Sequence, residues 1–183
     1  LLISIAISYH MGIQFHYMKS LSHKLFAVSV FLMFSFFLPN ISLAKSPESF
    51  GLTFQETRPG NSKYQIKRLK EKTNEFFKLS RKSKSAYRQI LLEKRLSELV
   101  SLIENKNTNE IANSTQRFAY QAGKLAEGSY KDKSDRKKEI IDVFEKYKPI
   151  LNEMRDNFPA NSPFWLLSQQ DIDTLNILSD KLK

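Results

Sequence analysis

From Ser62 to the C-terminus, apolar residues recur every three or four positions in successive segments separated by short polar connections. That period places each apolar set on one face of a helix, so this part of the chain is committed to packed helices rather than a sheet. The first segment, about 63–78, carries the stripe Ile66, Leu69, Thr73, Phe76 and Phe77. Ser62 and Gln65 have the spacing of a capping box at its start. Ser80 caps the second segment, about 81–105, with Ile90, Leu92, Leu96, Leu99 and Ile103 in its stripe. The third follows Asn107, with Glu110 as capping partner, and its face is Ile111, Thr115, Phe118, Ala122 and Leu125. Small residues crowd it (Ala112, Ala119, Ala122, Gly123, Ala126), which suits close approach by a neighbour or a partner. Ser134 opens the fourth, with Ile140, Phe144, Tyr147, Leu151 and Met154, and Pro149 within it should kink or divide the helix. Ser162-Pro163 reads as a helix start, and Ser168 with Asp171 as the cap of a last helix bearing Ile172, Leu175, Leu178 and Leu182. The expected fold class is all-α, an antiparallel bundle of about five helices over 62–183.

The chain before Ser62 has no such period. Residues 45–61 hold Pro47, Gly51, Pro59 and Gly60 and read as a linker. Phe50, Leu52 and Phe54 alternate there, too few to build a sheet, so they should pack on the helices or stay loose. Residues 18–44 have the three parts of a cleavable signal peptide. Lys19 and Lys24 form the charged start, Leu25 to Leu38 the apolar run, and Ser42-Leu43-Ala44 the small-residue site. The fourteen residues of that run would span ~21 Å as a helix, short of a hydrocarbon core of ~30 Å. An uncleaved anchor is the rival reading. Residues 1–17 precede Met18 and read as an upstream leader or a mis-called start. The expected location is extracytoplasmic: secreted, or anchored by the apolar run where it is uncut.

Cleavage after Ala44 leaves 139 residues, with 27 Lys and Arg against 19 Asp and Glu. One domain of that size can bury an adequate core, and a net charge of +8 favours anionic partners. There is no cysteine, and His10, His16 and His23 all lie in the leader. The remaining chain therefore lacks the imidazole and thiol that nucleophilic triads and nitrogen- or sulfur-ligated zinc require. No cofactor or metal is expected, and only carboxylate, Lys and Tyr chemistry stays open.

The first two helical segments carry a further pattern. It runs Pro59-Gly60-Asn61-Ser62, Tyr64, Ile66-Lys67-Arg68, Glu71, Phe76-Phe77, then Leu92-Glu93-Lys94-Arg95-Leu96-Ser97-Glu98. It resembles domain of unknown function 5667 over about residues 57–127. That family's pattern is a Pro-Gly turn, a Tyr-x-x-Lys-Arg helix start and a Glu-Arg-Arg-Leu-x-Glu run, and Lys94 stands here in place of the first Arg. The resemblance implies an all-helical extracytoplasmic module behind a signal or anchor. It implies no activity, and it leaves the last fifty-odd residues uncovered.

Two clusters stand out as candidate sites. Lys63, Lys67, Arg68, Lys70, Lys72, Lys78, Arg81, Lys82 and Lys84 oppose only Glu71 and Glu75 within 63–84, a local net of +7. A basic amphipathic helix of this kind suits an anionic membrane or a polyphosphate. The ordinary alternative is a core-facing helix with a solvated basic back. Glu93, Arg95 and Glu98 suggest a polar clasp reaching Lys67 or Arg68. The catalytic alternative, a carboxylate pair hydrolysing wall glycan, needs two carboxyls across a cleft. The basic run Lys131 to Lys138 is a solvated connection unless the fold brings it beside the first helix. Trp165 is expected to close the core rather than to stack on a sugar ring. Asn113-Ser114-Thr115 fits a glycosylation sequon but carries no weight on a helix.

The expected function is a non-enzymatic, exported interaction module whose basic surface meets anionic lipid or wall polymer. The ectodomain of an anchored signalling protein is the alternative, and a carboxylate-based glycan-active enzyme the third reading. A partner protein is left open. Neither a small-molecule substrate nor nucleic acid is expected.

Overall fold

A computed structural model describes residues 45–183. Residues 1–44, and with them the expected upstream leader, signal peptide and rival anchor, lie outside the described residues. Five α-helices follow a 3₁₀ turn at Pro47–Phe50. They are α1 (Tyr64–Phe76), α2 (Arg81–Glu104), α3 (Ile111–Ser129), α4 (Ser134–Arg155) and α5 (Pro163–Leu182), and there is no strand among the described residues. The all-α bundle expected from the period is the fold observed. Short connections make α2 and α3 one antiparallel hairpin and α4 and α5 another, and α3 packs on α5 to join them.

The core forms where those four helices meet. Leu92, Leu96 and Leu99 of α2, Phe118, Ala122 and Leu125 of α3, Ile140, Phe144 and Leu151 of α4, and Leu175 and Leu182 of α5 are buried together. Ala122 and Ala126 are fully enclosed, so the bundle itself uses the small-residue face of α3. The helix α4 runs through Pro149 as one element rather than dividing there.

Several helix starts differ from expectation. Ser80 does cap α2, accepting from the Ser83 N–H at 3.1 Å, and Ser162 caps α5, accepting from Trp165 N–H at 3.4 Å. At α1, however, neither Ser62 nor any other side chain caps the first turn: Lys63 is the N-cap residue, and Asn61 Oδ1 accepts from Lys63 N–H at 2.9 Å in the turn before the helix. A 3₁₀ turn at Thr108–Glu110 replaces the capping box before α3. Ser168 lies inside α5 and donates to the Phe164 carbonyl at 3.0 Å, so no new helix begins there. The segment 45–61 is not a free linker. Leu52 is buried in the core, and the Thr53 carbonyl accepts from Ser97 Oγ at 2.7 Å, which straps the segment along α2.

Asp171 follows from the continuity of α5. In mid-helix its side chain turns into the protein, it is 1 % exposed, and its Oδ2 has no hydrogen-bond partner among the described residues. Burial raises its pKa well above the usual carboxylate value. Below the unfolded-state pKa of ~3.9 both states hold the proton and the group is neutral in its effect. Above it the unfolded chain ionises first, so stability falls as pH rises until the folded group ionises too. Asp171→Asn is therefore expected to match the parent near pH 3 and to exceed it by on the order of 1 kcal/mol at pH 7. Urea unfolding at both pH values checks this, and an equal effect at both would contradict it.

Candidate functional site

The helix α1 sits against α2 with the opposite face to the one its period suggested. At ~100° per residue, Tyr64, Lys67, Glu71 and Glu75 share one side, with Ile66, Leu69, Thr73, Phe76 and Phe77 about opposite. It is the first side that meets the body. Tyr64, Glu71 and Glu75 are buried, whereas Ile66 is 70 % exposed, Leu69 67 %, Phe76 76 % and Phe77 68 %. Leu79, just past the helix, is 95 % exposed. The expectation of a core-facing apolar stripe is thus overturned. The cause is the surface that α2 offers: Arg88, Lys94, Arg95 and Glu98 face α1, and Leu92, Leu96, Leu99 and Leu102 of α2 are already committed to the core. A charged surface is met by charges, not by phenylalanine.

The contact is a continuous polar clasp. The Tyr64 hydroxyl donates to Glu98 Oε2 at 2.7 Å, and Lys67 Nζ donates to Glu98 Oε1 at 2.8 Å. Lys67 also donates to Gln55 Oε1 at 2.9 Å and to the Thr57 carbonyl at 3.0 Å, so the strap before α1 joins the same network. Arg95 forks between two carboxylates, donating to Glu98 Oε1 at 2.7 Å and to Glu71 Oε2. Lys94 Nζ lies 3.8 Å from the other Glu71 oxygen. Farther along, Glu75 accepts from Arg88 Nε at 2.8 Å and from Lys124 Nζ of α3 at 2.7 Å.

Burial and charge act in opposite directions on these groups. Burial, with help from Glu98, pushes the Tyr64 phenol far above its usual range, so it remains a donor at any ordinary pH. Burial works against the Arg95 charge, but Glu98 and Glu71 more than offset it and raise its pKa. Burial would likewise raise Glu75, yet the hydrogen bonds from Lys124 and Arg88 hold it below the usual 4.5. A depressed carboxylate stabilises the fold above its unfolded-state pKa and loses that contribution as pH falls through the folded value. The Glu75 tie is therefore complete at neutral pH.

Of the residues read as a clasp from sequence, Arg95 and Glu98 belong to it and Glu98 does reach Lys67. Glu93 does not. It points away, accepting from the Thr53 hydroxyl at 3.3 Å. Glu98 is 1 % exposed and fully engaged, so it forms no open carboxylate pair with Glu93 for hydrolysis. The missed members include Tyr64, Glu71, Arg88 and Lys124, and above all Glu75, which reads from sequence as a counter-charge in a basic helix.

The basic residues divide. Lys67 is withdrawn into the clasp. Lys63, Arg68, Lys70, Lys72, Lys78, Arg81 and Lys82 are exposed, and Lys84 is half-buried. Lys70 borders the outward stripe on one side, and Arg68 and Lys72 border it on the other. The run 131–138 is brought to the same end of the bundle as the start of α2. Arg136 donates to Ser85 Oγ from Nε at 3.1 Å and from Nη2 at 3.0 Å, and Ser85 also contacts Ser129 Oγ at 3.2 Å. Exposed Lys131, Lys133 and Lys138 thereby join Arg81 and Lys82. Trp165 lies away from this end, half-buried, with the Arg155 guanidinium 5.2 Å above its ring.

Among the described residues no group of three or more His, Cys, Asp or Glu is placed to hold a metal ion. No helix among them is long and apolar enough to cross a membrane. No family model, curated protein or solved structure matches the chain.

Proposed function

We propose that this protein is a non-enzymatic, extracytoplasmic module that lies on an anionic membrane surface, with α1 as the contact element. One observation carries the reading: the apolar stripe of α1 faces outward in a cationic frame. A helix with an aromatic face and flanking Lys and Arg settles at the boundary of headgroup and acyl chain, where both faces are satisfied. Each cation near an anionic surface adds about 1 kcal/mol. A wall polymer would use the cations and leave Phe76, Phe77 and Leu79 in water. A second copy of the chain would cover the stripe, but only by bringing two strongly positive faces together. Lipid satisfies both halves of the surface.

Kinship with domain of unknown function 5667 belongs to the same proposal. Its motif positions Tyr64, Lys67, Glu71, Arg95 and Glu98 converge on the clasp. In that reading the motif fixes which side of α1 points out, and it supplies no chemistry of its own.

Sedimentation with vesicles tests the reading. Binding is expected to phosphatidylglycerol-containing vesicles and to fall as salt shortens the Debye length from ~10 Å at 0.1 M to ~3 Å at 1 M. A residue of binding should survive high salt, because the apolar contact is not screened. Equal binding to neutral phosphatidylcholine vesicles, or none to either kind, would refute the proposal.

A further inference from the structure

On the flank of α1, between it and α3, runs an open groove of about 460 Å³. Arg68 and Lys72 line it from α1, Arg117, Tyr120 and Lys124 line it from α3, and Arg95 lies at its base. Of the two carboxylates within it, Glu75 is taken on both oxygens by Arg88 and Lys124, and Glu71 gives Oε2 to Arg95 while its buried Oε1, 3.8 Å from Lys94 Nζ, accepts no hydrogen bond among the described residues. Arg68 and Lys72 are exposed and pair with no acid among the described residues. Arg117 donates from Nη2 to Ser114 Oγ at 2.9 Å and to Glu110 Oε2 at 3.5 Å, with its guanidinium 5.4 Å from the Tyr64 ring. Its Nε is buried and has no acceptor among the described residues. The groove thus holds more donors than acceptors, with a guanidinium suited to a tetrahedral oxyanion.

The groove and the stripe share a residue. Leu69 lines the groove and belongs to the outward apolar face. A ligand seated among Arg68, Lys72 and Arg117 would carry its tail across Leu69 toward Phe76. We infer that this groove takes the phosphate of an anionic lipid headgroup, whose acyl chains pass over the α1 stripe. The inference rests on the membrane reading above and deepens it: docking becomes a site with a defined ligand chemistry rather than a diffuse attraction.

The test uses soluble short-chain lipid, which needs no bilayer. Dihexanoyl phosphatidylglycerol, titrated below its micelle concentration and followed by calorimetry, is expected to saturate at one equivalent. Arg68→Gln/Lys72→Gln, exposed changes that leave the clasp intact, should weaken it about tenfold or more. Arg117→Gln should weaken it likewise, with its fold verified by circular dichroism. Lys131→Gln/Lys133→Gln removes the same charge outside the groove and should leave this affinity unchanged. Inorganic phosphate as tight as the lipid would overturn the lipid assignment. Equal losses from the two double variants would overturn the groove. Vesicle binding without short-chain lipid binding would overturn the groove and keep the membrane reading; failure of both would overturn the two together.

Discussion

Arg95→Ala is expected to destabilise the protein by about 3–5 kcal/mol, the usual result of removing one partner from a buried charge pair. Arg95 is 6 % exposed and is the only residue that bonds both Glu71 and Glu98 among the described residues. Its loss leaves Glu71 with Lys94 at 3.8 Å, and Glu98 with Tyr64 and Lys67. Those survivors place the effect toward the lower end of the range. The penalty is not the worth of the ion pair itself. Taking charges from water costs nearly what their attraction returns, so most of the loss is a carboxylate stranded in a dry site.

Two further measurements separate these contributions. Removing the stranded group as well, in Arg95→Ala/Glu71→Ala, should recover part of the loss, with a coupling of about 0.5–3 kcal/mol in urea unfolding. Limited proteolysis should cut within α1 before the bundle unfolds, because α1 is held to α2, to Lys124 of α3 and to the strap chiefly by polar contacts, while the other helices share the core. A loss below about 1 kcal/mol with α1 still protected would mean that the clasp does not hold the helix.

The bundle was legible in the sequence because α2 to α5 each keep an apolar face that nothing but another helix can cover. The period of α1 was equally legible and its orientation was not. Periodicity states that a helix has two faces, and the neighbour decides which one is inside. Here α2 turns Arg88, Arg95 and Glu98 toward α1, and no local rule applied to residues 63–78 reveals that. Part of the clasp was readable, since Arg95 and Glu98 are three apart and share a face. The same rule argues against Glu93, two residues from Arg95 and so on the other side of α2, where it meets Thr53. Residues 45–61 were opaque for a different reason. Leu52 and Gln55 are buried one at a time against a helix already formed, which leaves no repeat to read. The joining of the run 131–138 to the start of α2 depends on Arg136 meeting Ser85 across 51 residues, a contact that charge patterning could suggest but not locate.

Phe76→Ser/Phe77→Ser is expected to lower partition onto phosphatidylglycerol vesicles about 10–100-fold while leaving stability within about 0.5 kcal/mol. The two rings meet edge to face at 5.7 Å and are otherwise largely in water. Full burial of such a side chain is worth about 1.5–3 kcal/mol, and interfacial depth realises part of that for each. The pairing of outcomes carries the argument. A residue that serves the fold costs stability when truncated, whereas a residue that serves a surface costs binding alone. Lys70→Gln/Lys78→Gln should show the complementary pattern, removing salt-sensitive affinity and sparing the part that persists at high salt. Urea midpoints and vesicle sedimentation on the same preparations distinguish the cases. Loss of stability with unchanged partition would return α1 to the interior and take the membrane reading with it.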